Sequence, residues 1–546
     1  METHIRTQAL LLGVVVLAPY RLVPPNVGHK LTLNAGKNDL PNFVLILTDD
    51  QDIVLGGIDK MKNLQYLIQK EGATFSNSFV VSPLCCPSRS SILTGRYVHN
   101  HGAINNSYNG DCSGRRWQLG PERKTFATHL KKNGYSTFFA GKYLNQYGTR
   151  NAGGFEHVPP GWDWWVGLVG NSRYYNYTLS VNGTEEIHGD NPQKDYLTNV
   201  IRKRALEFLD ASSLHIPFFM MLSTPASHAP FTPESKYASN FTDLKVPRNP
   251  NFNIKAGPDK HWLMRHGIQP LPDETIDKVD EVYRKRLRTL LTVDDMIKDV
   301  IENLSNKGIL SNTYVIFTSD NGYHMGQFSL PLDKREPYET DIRVPLLVKG
   351  PFVTAGHVIE YSALNIDLAP TILELAGMSI PKYMDGNSLK HLLINEKSQS
   401  VNYLKDYFYK KSPAKQYNSV SVDKTKRRTC LIEHSGEGSE KKNEKCNEGP
   451  GLSGCNPEFS CKCEDSWNNT YACIREISTQ TDRLFCKWDD KEKFEEHYNM
   501  KIDPFQINNT IKGIPKDVHK RMLLLLKNLQ KCHGIRCREL SNFTLC

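Results

Sequence analysis

Short apolar runs alternate with longer amphipathic segments between about residues 40 and 390. Uninterrupted apolar runs of this length, bounded by polar residues, are typical of strands that are buried on both faces of a sheet. Between residues 282 and 304, leucine, isoleucine and valine recur at helical spacing, which predicts a long helix with one apolar face. The alternation predicts an α/β domain over residues 40–395 with a largely parallel sheet. The predicted strands are 43–48, 137–140, 218–222, 314–318 and 344–348.

The pattern changes after residue 395. Residues 396–428 are mostly polar and basic, which predicts a linker or a surface excursion. Residues 429–546 carry a predicted strand at 430–433, a stretch rich in glycine and cysteine, and a predicted helix at 518–530. We therefore expect a smaller α+β domain at the C-terminal end of the chain.

The first residues have the pattern of a secretory signal peptide. Residues 1–8 carry net positive charge, and residues 9–19 form an apolar run that is too short to span a bilayer. Pro24 and Pro25 follow, and we expect the signal to end near residue 28. No later apolar run reaches about 18 residues, so the sequence predicts no transmembrane anchor.

Thirteen cysteines are unevenly distributed, and ten of them lie after position 429. In a chain that enters the secretory pathway, such a cluster predicts disulfide bonds. A zinc site is the alternative for Cys455, Cys461, Cys463 and Cys473, although their irregular spacing disfavours it. If Cys85 is set aside as a modified residue, an even number of cysteines remains.

The net charge indicates the class of partner, and the sequons support the secretory route. The formal net charge of +9 favours acidic partners such as sulfated sugars. The chain has no long basic run and no aromatic residues interleaved with basic ones, so nucleic acid is not the expected partner. Eight Asn-x-Ser/Thr sequons predict N-glycosylation at Asn105, Asn176, Asn182, Asn240, Asn303, Asn468, Asn508 and Asn542.

Polar residues follow several of the predicted strands. In open α/β sheets, ligands bind beyond the carboxyl ends of the strands, so side chains at these positions are expected to converge. The residues so placed are Asp49 and Asp50 after the first strand, Lys142 after the second, His228 after the third, and Asp320 and Asn321 after the fourth. This shared placement indicates a functional site more strongly than any one of the residues does.

Residues 82–96 read SPLCCPSRSSILTGR and contain the pattern C-x-P-x-R, which starts at Cys85. On this stretch the chain resembles the sulfatase family. The resemblance implies an alkaline-phosphatase-like fold, with a large mixed sheet flanked by helices, and the hydrolysis of a sulfate ester. It also implies that Cys85, rather than Cys86, is oxidised to formylglycine by the formylglycine-generating enzyme in the endoplasmic reticulum.

A formylglycine would give the site a nucleophile that an ordinary side chain cannot supply. Its hydrated aldehyde carries two hydroxyls on one carbon, and one of them attacks the sulfur while the other stays free. After the alcohol has left, loss of a proton from the second hydroxyl expels sulfate and restores the aldehyde. The sequence therefore predicts covalent catalysis with a built-in release step.

Asp49, Asp50, Asp320 and Asn321 offer hard oxygen ligands, which suit calcium or magnesium rather than zinc. An Asp-Asp pair alone is more often a helix cap or a turn, but the second pair and the Cys85 motif favour a metal site. The resemblance implies Ca²⁺ held by these four residues and the modified Cys85, with Mg²⁺ as the alternative. Such an ion would polarise sulfate oxygens and acidify the formylglycine hydroxyl.

Four cationic or titratable residues complete the expected site. Arg89 lies one helical turn after Cys85 and could brace the formylglycine if a helix begins there. The resemblance implies that Lys142, in FFAGKYLN, and Lys334, in LPLDKREPYE, bind sulfate. It also implies that His228, in TPASHAP, contacts sulfate and protonates the leaving oxygen. Charges so placed would stabilise the sulfuryl oxygens in the transition state.

The sequence departs from many arylsulfatases after the glycine-lysine pair. Those enzymes continue G-K-W-H, whereas this chain has Leu144 at the histidine position, followed by Asn145. The role of that histidine must pass to another group or to none. His324, His99 and His101 are the conceivable substitutes.

The resemblance is strongest to the branch of the family that removes 6-O-sulfate from N-acetylglucosamine residues of heparan sulfate and keratan sulfate. Extracellular heparan 6-O-endosulfatases carry Asp-His where this chain has Asp320-Asn321, and they have a long charged insert that is absent here. Both differences favour a lysosomal, exo-acting enzyme, with an extracellular location as the alternative. The segments that carry this resemblance are DDQDIVLGG, CCPSRSSILTGRYVHNH, FFAGKYLNQYG, YYNYTLSVNG, DNGYHMGQFSLPLDKR and CEDSWNNTYACIR.

The sequence leaves three other functions open. The chain could cleave another sulfate ester, such as an aryl sulfate, a glucosinolate or an internal heparan 6-O-sulfate. A phosphatase of the same superfamily would share the fold, but it would normally use serine or threonine as nucleophile together with two metal ions. A non-catalytic binder of sulfated glycans would be expected to lack a nucleophile, metal ligand or lysine, and all of these are present.

Overall fold

The computed structural model describes residues 40–213, 215–394 and 428–541 of the chain. The predicted signal peptide and residues 396–427 of the predicted linker lie outside the described residues. Within these ranges the strands, numbered in chain order, are β1 Asn42–Thr48, β2 Ala73–Phe75, β3 Ser78–Phe79, β4 Ser136–Lys142, β5 Trp164–Leu168, β6 Tyr177–Val181, β7 Thr184–His188, β8 Phe218–Ser223, β9 Thr313–Ser319, β10 Leu346–Lys349, β11 His357–Ile359, β12 Ala363–Leu364, β13 Arg428–His434, β14 Leu452–Ser453, β15 Asp465–Ser466, β16 Tyr471–Ile477, β17 Asp482–Trp488 and β18 Glu495–Asn499.

Helices fill the connections between these strands. The α-helices of at least seven residues are α1 Cys85–Thr94, α2 Phe126–Lys132, α3 Leu197–Ala211, α4 Asp273–Asn306, α5 Leu368–Leu375, α6 Lys516–Leu529 and α7 Ile535–Ser541. Shorter α-helical segments are Lys62–Leu64, Val98–His101, Arg115–Leu119, Trp262–Arg265, Glu339–Ile342 and Lys390–Leu393. Among the described residues, none of the helices combines the length and the apolar character that crossing a bilayer requires.

Ten strands form one mixed sheet in the order β11-β2-β10-β9-β1-β8-β4-β5-β6-β7. The five central strands, from β9 to β5, run parallel. β10 and the β6–β7 hairpin are antiparallel to their neighbours. The parallel centre brings the carboxyl ends of β1, β4, β8 and β9 to one edge, which is where the predicted site residues follow.

Both faces of the central sheet are buried. Phe43, Leu45 and Leu47 of β1 belong to an apolar cluster that includes residues of α1, α2 and α5. Val44 and Ile46 point to the opposite face and pack with α3 and α4. A strand that is buried on both faces has no polar positions to alternate with apolar ones, which explains the uninterrupted run in the sequence.

The five predicted strands and the predicted long helix are all present, with shifted ends. The last predicted strand is β10, which covers Leu346–Lys349 and runs antiparallel to β9. α4 begins at Asp273, nine residues before the prediction, because its first turns are polar and only its later turns carry the apolar stripe. In the polar part, Lys278 Nζ lies 2.7 Å from the Glu274 carboxylate, at i,i+4 spacing.

A second, antiparallel sheet follows in the C-terminal part, in the order β13-β16-β17-β18. The strand predicted at 430–433 and the helix predicted at 518–530 are confirmed as β13 and α6. α6 packs its apolar face, including Met522 and Leu526, against this sheet. The same cluster contains Phe79 and Tyr338, so the smaller sheet shares a core with the N-terminal part.

Disulfides account for the cysteine cluster, and the zinc alternative is wrong. Cys455, Cys461, Cys463 and Cys473 each form a disulfide and therefore have no thiolate to offer a metal. Among the described cysteines, Cys85 and Cys430 have free thiols, and both are buried; Cys546 lies outside the described residues. The bonds are Cys86–Cys112, Cys446–Cys461, Cys455–Cys463, Cys473–Cys486 and Cys532–Cys537.

The predicted glycosylation sites differ in how far they reach the surface. Asn176, Asn182, Asn468 and Asn508 are exposed. Asn105, Asn240 and Asn303 are half-buried, and Asn542 lies outside the described residues. Glycosylation at these asparagines stays a prediction.

Candidate active site

Cys85 lies at the first turn of α1, directly beyond the carboxyl edge of the main sheet. Its thiol is fully buried, and Sγ lies 3.8 Å from Oδ1 of Asp49 and 3.8 Å from Oδ1 of Asp50. The neighbouring Cys86 forms a disulfide with Cys112 and is not available as a nucleophile. Of the two adjacent cysteines, therefore, only Cys85 presents a free side chain to the site.

The surroundings of Cys85 do not favour an ordinary thiolate nucleophile. Burial raises the pKa of the thiol to about 12, and the nearby Asp50 and Asp49 act in the same direction, against Lys142 and Lys334. The thiolate is the reactive form of cysteine, so the unmodified residue is inert at physiological pH. This environment fits a side chain that becomes reactive through modification.

The four predicted metal ligands converge beside Cys85. The Asn321 side-chain amide donates to Oδ1 of Asp50 over 2.7 Å, and the backbone N–H of Asp50 donates to Oδ1 of Asp320 over 3.0 Å. Asp49, Asp50, Asp320 and Asn321 are all buried. Oδ1 of Asn321 is buried without a hydrogen-bond partner among the described residues. A buried amide oxygen left unpaired beside three carboxylates fits the donor set of a hard divalent cation.

Three basic side chains contact these carboxylates. Lys142 Nζ lies 2.7 Å from Oδ2 of Asp49, and Lys334 Nζ lies 2.8 Å from Oδ2 of Asp50. Arg89, one turn after Cys85 on α1 as predicted, places Nε 2.7 Å from Oδ2 of Asp320. The three contacts join basic side chains of β4, of α1 and of the loop after β9 to the acidic residues that follow β1 and β9.

The charges of this cluster perturb its pKa values. Burial acts to raise the pKa of Asp49, but Lys142, His228, Arg89 and Lys334 together hold it well below its ordinary value. Burial acts to lower the pKa of Lys334, and the carboxylate of Asp50 raises it well above its ordinary value. Three acidic side chains therefore face three basic ones. A divalent ion would give the site the positive excess that a sulfate ester needs.

The glycine before Lys142 has a steric reason. Gly141 has φ +112°, and a Cβ at this position would lie 1.8 Å from the carbonyl oxygen of Ser223 on β8. Only glycine permits this approach of β4 to β8. Arg89 Nη1 then reaches both the carbonyl of Lys142, at 2.8 Å, and the hydroxyl of Ser223, at 2.7 Å. In the G-K pair, therefore, the glycine permits the close approach of β4 to β8, and the lysine supplies a side chain to the site.

His228 follows β8 and turns its ring toward the same cluster. Its Nδ1 lies 2.7 Å from the carbonyl oxygen of Ala229, and its Nε2 lies 3.9 Å from Oδ2 of Asp50. Burial lowers the pKa of the ring, partly offset by Asp49 and Asp50. Because Nδ1 donates to the carbonyl, Nε2 is left to exchange a proton with a ligand.

None of the three suggested histidine substitutes lies at Cys85. His324 Nε2 lies 3.0 Å from Glu464, and its Nδ1 lies 3.0 Å from Asp341. His99 pairs with Glu433 at 2.8 Å, and His101 contacts the Ser91 hydroxyl at 2.9 Å. All three are held by structural partners, so the suggestion that one of them replaces the missing histidine is wrong.

A leucine stands at the position of the missing histidine, and asparagines lie next to it. Leu144 is buried in the core. The amide of Asn145 donates to Oδ1 of Asn171 over 3.3 Å, and Oδ1 of Asn145 is buried without a hydrogen-bond partner among the described residues. Asn171 in turn lines a cavity above the site, together with Asn106.

Two residues of the site, Ser172 and Arg286, were not predicted from the sequence. The hydroxyl of Ser172 donates to Oδ2 of Asp49. Arg286 of α4 donates to the backbone carbonyls of Asp50, over 2.6 Å, and Ser227, over 3.2 Å. Ser172 lies in a loop with no motif, and Arg286 interrupts the apolar stripe of a helix. A basic position on an otherwise apolar helix face is the one signal in the sequence that could have indicated Arg286.

The cavity above the cluster has a volume of about 330 Å³. Its charged floor includes Asp50, His228 and Lys334, and its walls carry Phe231 and Tyr323 among others. Another part of the lining, which we call the C-terminal wall, comes from the C-terminal part of the chain. The residues of that wall are Gly454, Asn456, Phe459, Lys462 and Glu464.

Comparisons with known proteins agree with this geometry. The sulfatase family model matches residues 41–378, and a model described as N-sulphoglucosamine sulphohydrolase, C-terminal, matches residues 326–435. Human N-acetylglucosamine-6-sulfatase is 46% identical over 501 residues, which cover 91% of this chain and 86% of the human protein. The extracellular sulfatase SULF-1 homolog of Drosophila melanogaster is 37% identical over 72% of this chain and 35% of its own length.

A solved structure shares the fold over nearly the whole chain. It was determined in complex with its substrate, D-glucosamine-2-N,6-O-disulfate, and superposes with a TM-score of 0.66 at 23% identity. The match covers 92% of this chain and 99% of that one. Members of the sulfatase family use a formylglycine and a divalent metal. The site geometry, the family model and the 46% identical relative lead to one conclusion: this chain belongs to the sulfatase family.

Proposed function

We propose that this sulfatase removes 6-O-sulfate from N-acetylglucosamine residues of heparan sulfate and keratan sulfate. The observation that carries the catalytic part is the free side chain of Cys85, within 3.8 Å of Asp49 and of Asp50, the second of which lines the cavity. The substrate part rests on the relative named N-acetylglucosamine-6-sulfatase, which is 46% identical over 91% of the chain.

Cys85, converted to formylglycine, is the proposed nucleophile. The formylglycine supplies a hydroxyl that forms a bond to sulfur and a second hydroxyl that allows sulfate to be released. Lys142 and Lys334 bind the sulfate oxygens and stabilise the charge that develops on them. Arg89 neutralises Asp320 and holds the end of α1, on which Cys85 lies, against β4.

Asp49, Asp50, Asp320 and Asn321, with the modified Cys85, are the proposed ligands of one Ca²⁺, and Mg²⁺ is the alternative. The unpaired Oδ1 of Asn321 supports this assignment. The ion would polarise the sulfate oxygens and lower the pKa of the nucleophilic hydroxyl.

We assign Nε2 of His228 as the atom that gives a proton to the leaving sugar oxygen. In the free site, burial lowers the pKa of this ring, and Asp49 and Asp50 partly offset this effect. A bound sulfate ester brings negative charge close to the ring, which favours the protonated form. The hydrogen bond from Nδ1 to the Ala229 carbonyl fixes the orientation of Nε2 throughout.

We place the enzyme in the secretory pathway, with the lysosome as its destination and the extracellular space as the alternative. The apolar run at residues 9–19 and the sequons support this route. The route also brings the chain to its expected maturation partner, the formylglycine-generating enzyme.

The test is an assay panel on protein made in a host that forms formylglycine. The panel contains N-acetylglucosamine 6-sulfate at a non-reducing end, an internal heparan 6-sulfate, an aryl sulfate and a glucosinolate. We expect the highest kcat/KM with the terminal 6-sulfated sugar. A preference for any other member would overturn the proposed substrate and leave the sulfatase assignment in place.

A second measurement addresses the nucleophile. We expect the mass spectrum of the peptide that contains Cys85 to show formylglycine, and the Cys85→Ala variant to lose turnover while keeping the thermal unfolding midpoint of the wild type. Cys430→Ala, at the other free and buried thiol of the described chain, is the matched control and should keep full turnover. Unmodified Cys85 in active protein would contradict the mechanism.

A further inference from the structure

The cavity is lined in part by a segment that lies far away in the sequence from the residues of the charged floor. Residues 446–463, which we call the disulfide loop, contribute Gly454, Asn456, Phe459 and Lys462 to the lining. Asp50, on the floor, lies some four hundred positions earlier in the chain. The loop contains none of the groups that surround Cys85. We therefore expect the loop to contact the part of a ligand that extends away from the sulfate.

The disulfide loop is held rigidly in place. Cys446–Cys461 and Cys455–Cys463 close it twice. Lys462 Nζ donates to the carbonyl of Met264 over 3.0 Å, and the hydroxyl of Ser460 lies 2.5 Å from that of Thr275 at the start of α4. A wall fixed in this way needs no ordering when a ligand arrives, so its contacts count fully toward binding.

Two side chains of the loop have the chemistry of a sugar subsite. Phe459 is half-buried, packs against the cluster that contains Tyr323 and Leu332, and presents the rest of its ring to the cavity. Asn456 is exposed, and its Oδ1 accepts from the backbone N–H of Glu458 over 3.0 Å. Among the described residues, its amide N–H groups have no acceptor and can donate to a ligand. An apolar ring face beside a hydrogen-bond donor matches a pyranose, which has an apolar C–H face and polar edges.

We propose that Phe459 and Asn456 are specificity-determining residues that bind the sugar carrying the sulfate. The inference rests on the proposed function and deepens it by naming the residues that recognise the sugar. The sulfate lies at the floor, where Lys334 lines the cavity and contacts the carboxylate of Asp50. The sugar ring lies against the disulfide loop. A small aryl sulfate uses the floor alone.

The experiment compares two substrates in the full, formylglycine-containing enzyme. Phe459→Leu keeps the apolar packing and loses the flat ring, and Asn456→Ser keeps an oxygen that can cap Glu458 and loses the amide donor. We expect each variant to raise KM for 6-sulfated N-acetylglucosamine about tenfold. KM and kcat for an aryl sulfate should change less than about twofold. Glu458→Ala, which alters an exposed residue of the same turn outside the cavity lining, is the matched control and should leave both substrates unchanged.

Two results would overturn the inference. Equal losses on both substrates would assign the loop a structural role, and unchanged KM for both would show that the sugar does not reach it. The wild-type panel tests the proposed function separately. If the wild type prefers another sulfated sugar, the variants are compared on that sugar against the aryl sulfate, so the proposed substrate fails while the loop is still tested.

Discussion

Cys85 and Cys86 are adjacent in the chain, yet they have different chemical fates. Cys86 points into the core and forms a disulfide with Cys112, whereas the side chain of Cys85 points to Asp49 and Asp50. One residue of helix rotates a side chain by about 100°, which is enough to separate a structural cysteine from a reactive position. The C-x-P-x-R pattern predicted Cys85 as the modified residue, and the disulfide removes its only close competitor.

Asn321 provides a residue-scale test of the metal site. Replacing it with alanine removes the buried Oδ1 that has no hydrogen-bond partner among the described residues, as well as the amide that donates to Asp50. We expect Asn321→Ala to lower the bound Ca²⁺, measured by elemental analysis after gel filtration, and to lower turnover with it. Full activity of the wild type after exhaustive chelation would contradict the metal assignment.

We expect the buried ring of His101 to make the stability of the protein sensitive to acid. The backbone N–H of Ala103 donates to its Nδ1 over 3.1 Å and Nε2 contacts the Ser91 hydroxyl, so the buried ring is neutral. Burial lowers its pKa from 6.5 to about 3. Between these values the unfolded chain binds a proton that the folded protein excludes, so stability is lost as pH falls from about 6.5 to 3.

A variant isolates this effect. His101→Gln keeps one donor and one acceptor but cannot be protonated. We expect the wild type to lose about 1.4 kcal/mol more than the variant for each pH unit below 6.5. Unfolding midpoints measured from pH 7 to pH 4 test this expectation. Parallel curves for the two proteins would show that another group controls the acid transition.

At the scale of elements, the segment that carries Lys334 is held by the C-terminal part. Asp333 and Arg335 flank Lys334 with φ of +142° and +123°, a region that non-glycine residues rarely adopt. Arg335 Nη1 lies 2.6 Å from Glu437 and 3.0 Å from Asp465, and Tyr471 donates to its backbone carbonyl over 2.8 Å. These contacts fix a backbone shape that would otherwise relax.

Arg335 is therefore a positioning residue for Lys334. We expect Arg335→Met to lower kcat about tenfold to a hundredfold, because a displacement of about 1 Å in a catalytic group costs this much. KM should change less than kcat, and Arg335→Lys should recover part of the loss. Arg204→Met, at a surface ion pair with Glu186, is the control and should keep full activity. Unchanged kcat in Arg335→Met would show that Lys334 does not depend on the C-terminal contacts.

At the scale of the whole described molecule, a buried ion pair joins the smaller sheet to the N-terminal part of the chain. Arg428, at the start of β13, contacts both carboxylate oxygens of Asp367, with Nη2 and Oδ1 2.8 Å apart. Asp367 also accepts from the backbone N–H of Leu364 over 2.7 Å and of Asn387 over 2.8 Å. The pair therefore ties β13 to the turn that precedes α5.

Breaking this pair should destabilise the whole protein. Arg428→Leu leaves the Asp367 carboxylate buried without its partner, and we expect a loss of about 3–5 kcal/mol in the free energy of unfolding. Lys493→Ala, at an exposed ion pair with Asp489, is the control and should have little effect. Denaturant unfolding followed by both fluorescence and turnover tests this. A loss similar to that of the control would show that the attachment of β13 does not depend on this ion pair.

Local patterns in the sequence are enough to predict the strands, the long helix and most of the candidate site. Uninterrupted apolar runs mark strands buried on both faces, and polar residues after them mark the carboxyl edge of a parallel sheet. Each of these signals is complete within a few residues, as in the run at 43–48. The Cys85 motif and the pairs at 49–50 and 320–321 are equally short, so the sequence alone predicts them as site residues.

Contacts between distant positions, in contrast, are visible only in the folded chain. Three examples join positions far apart in sequence. Phe459 contributes to the wall of the cavity, Arg335 pairs with Glu437, and Arg286 contacts the backbone of Asp50. No local pattern records such a contact, because it is selected by how the sheet, the helices and the C-terminal part pack together. For the same reason only the fold excludes His324, His99 and His101 from the site, by giving each of them a different partner.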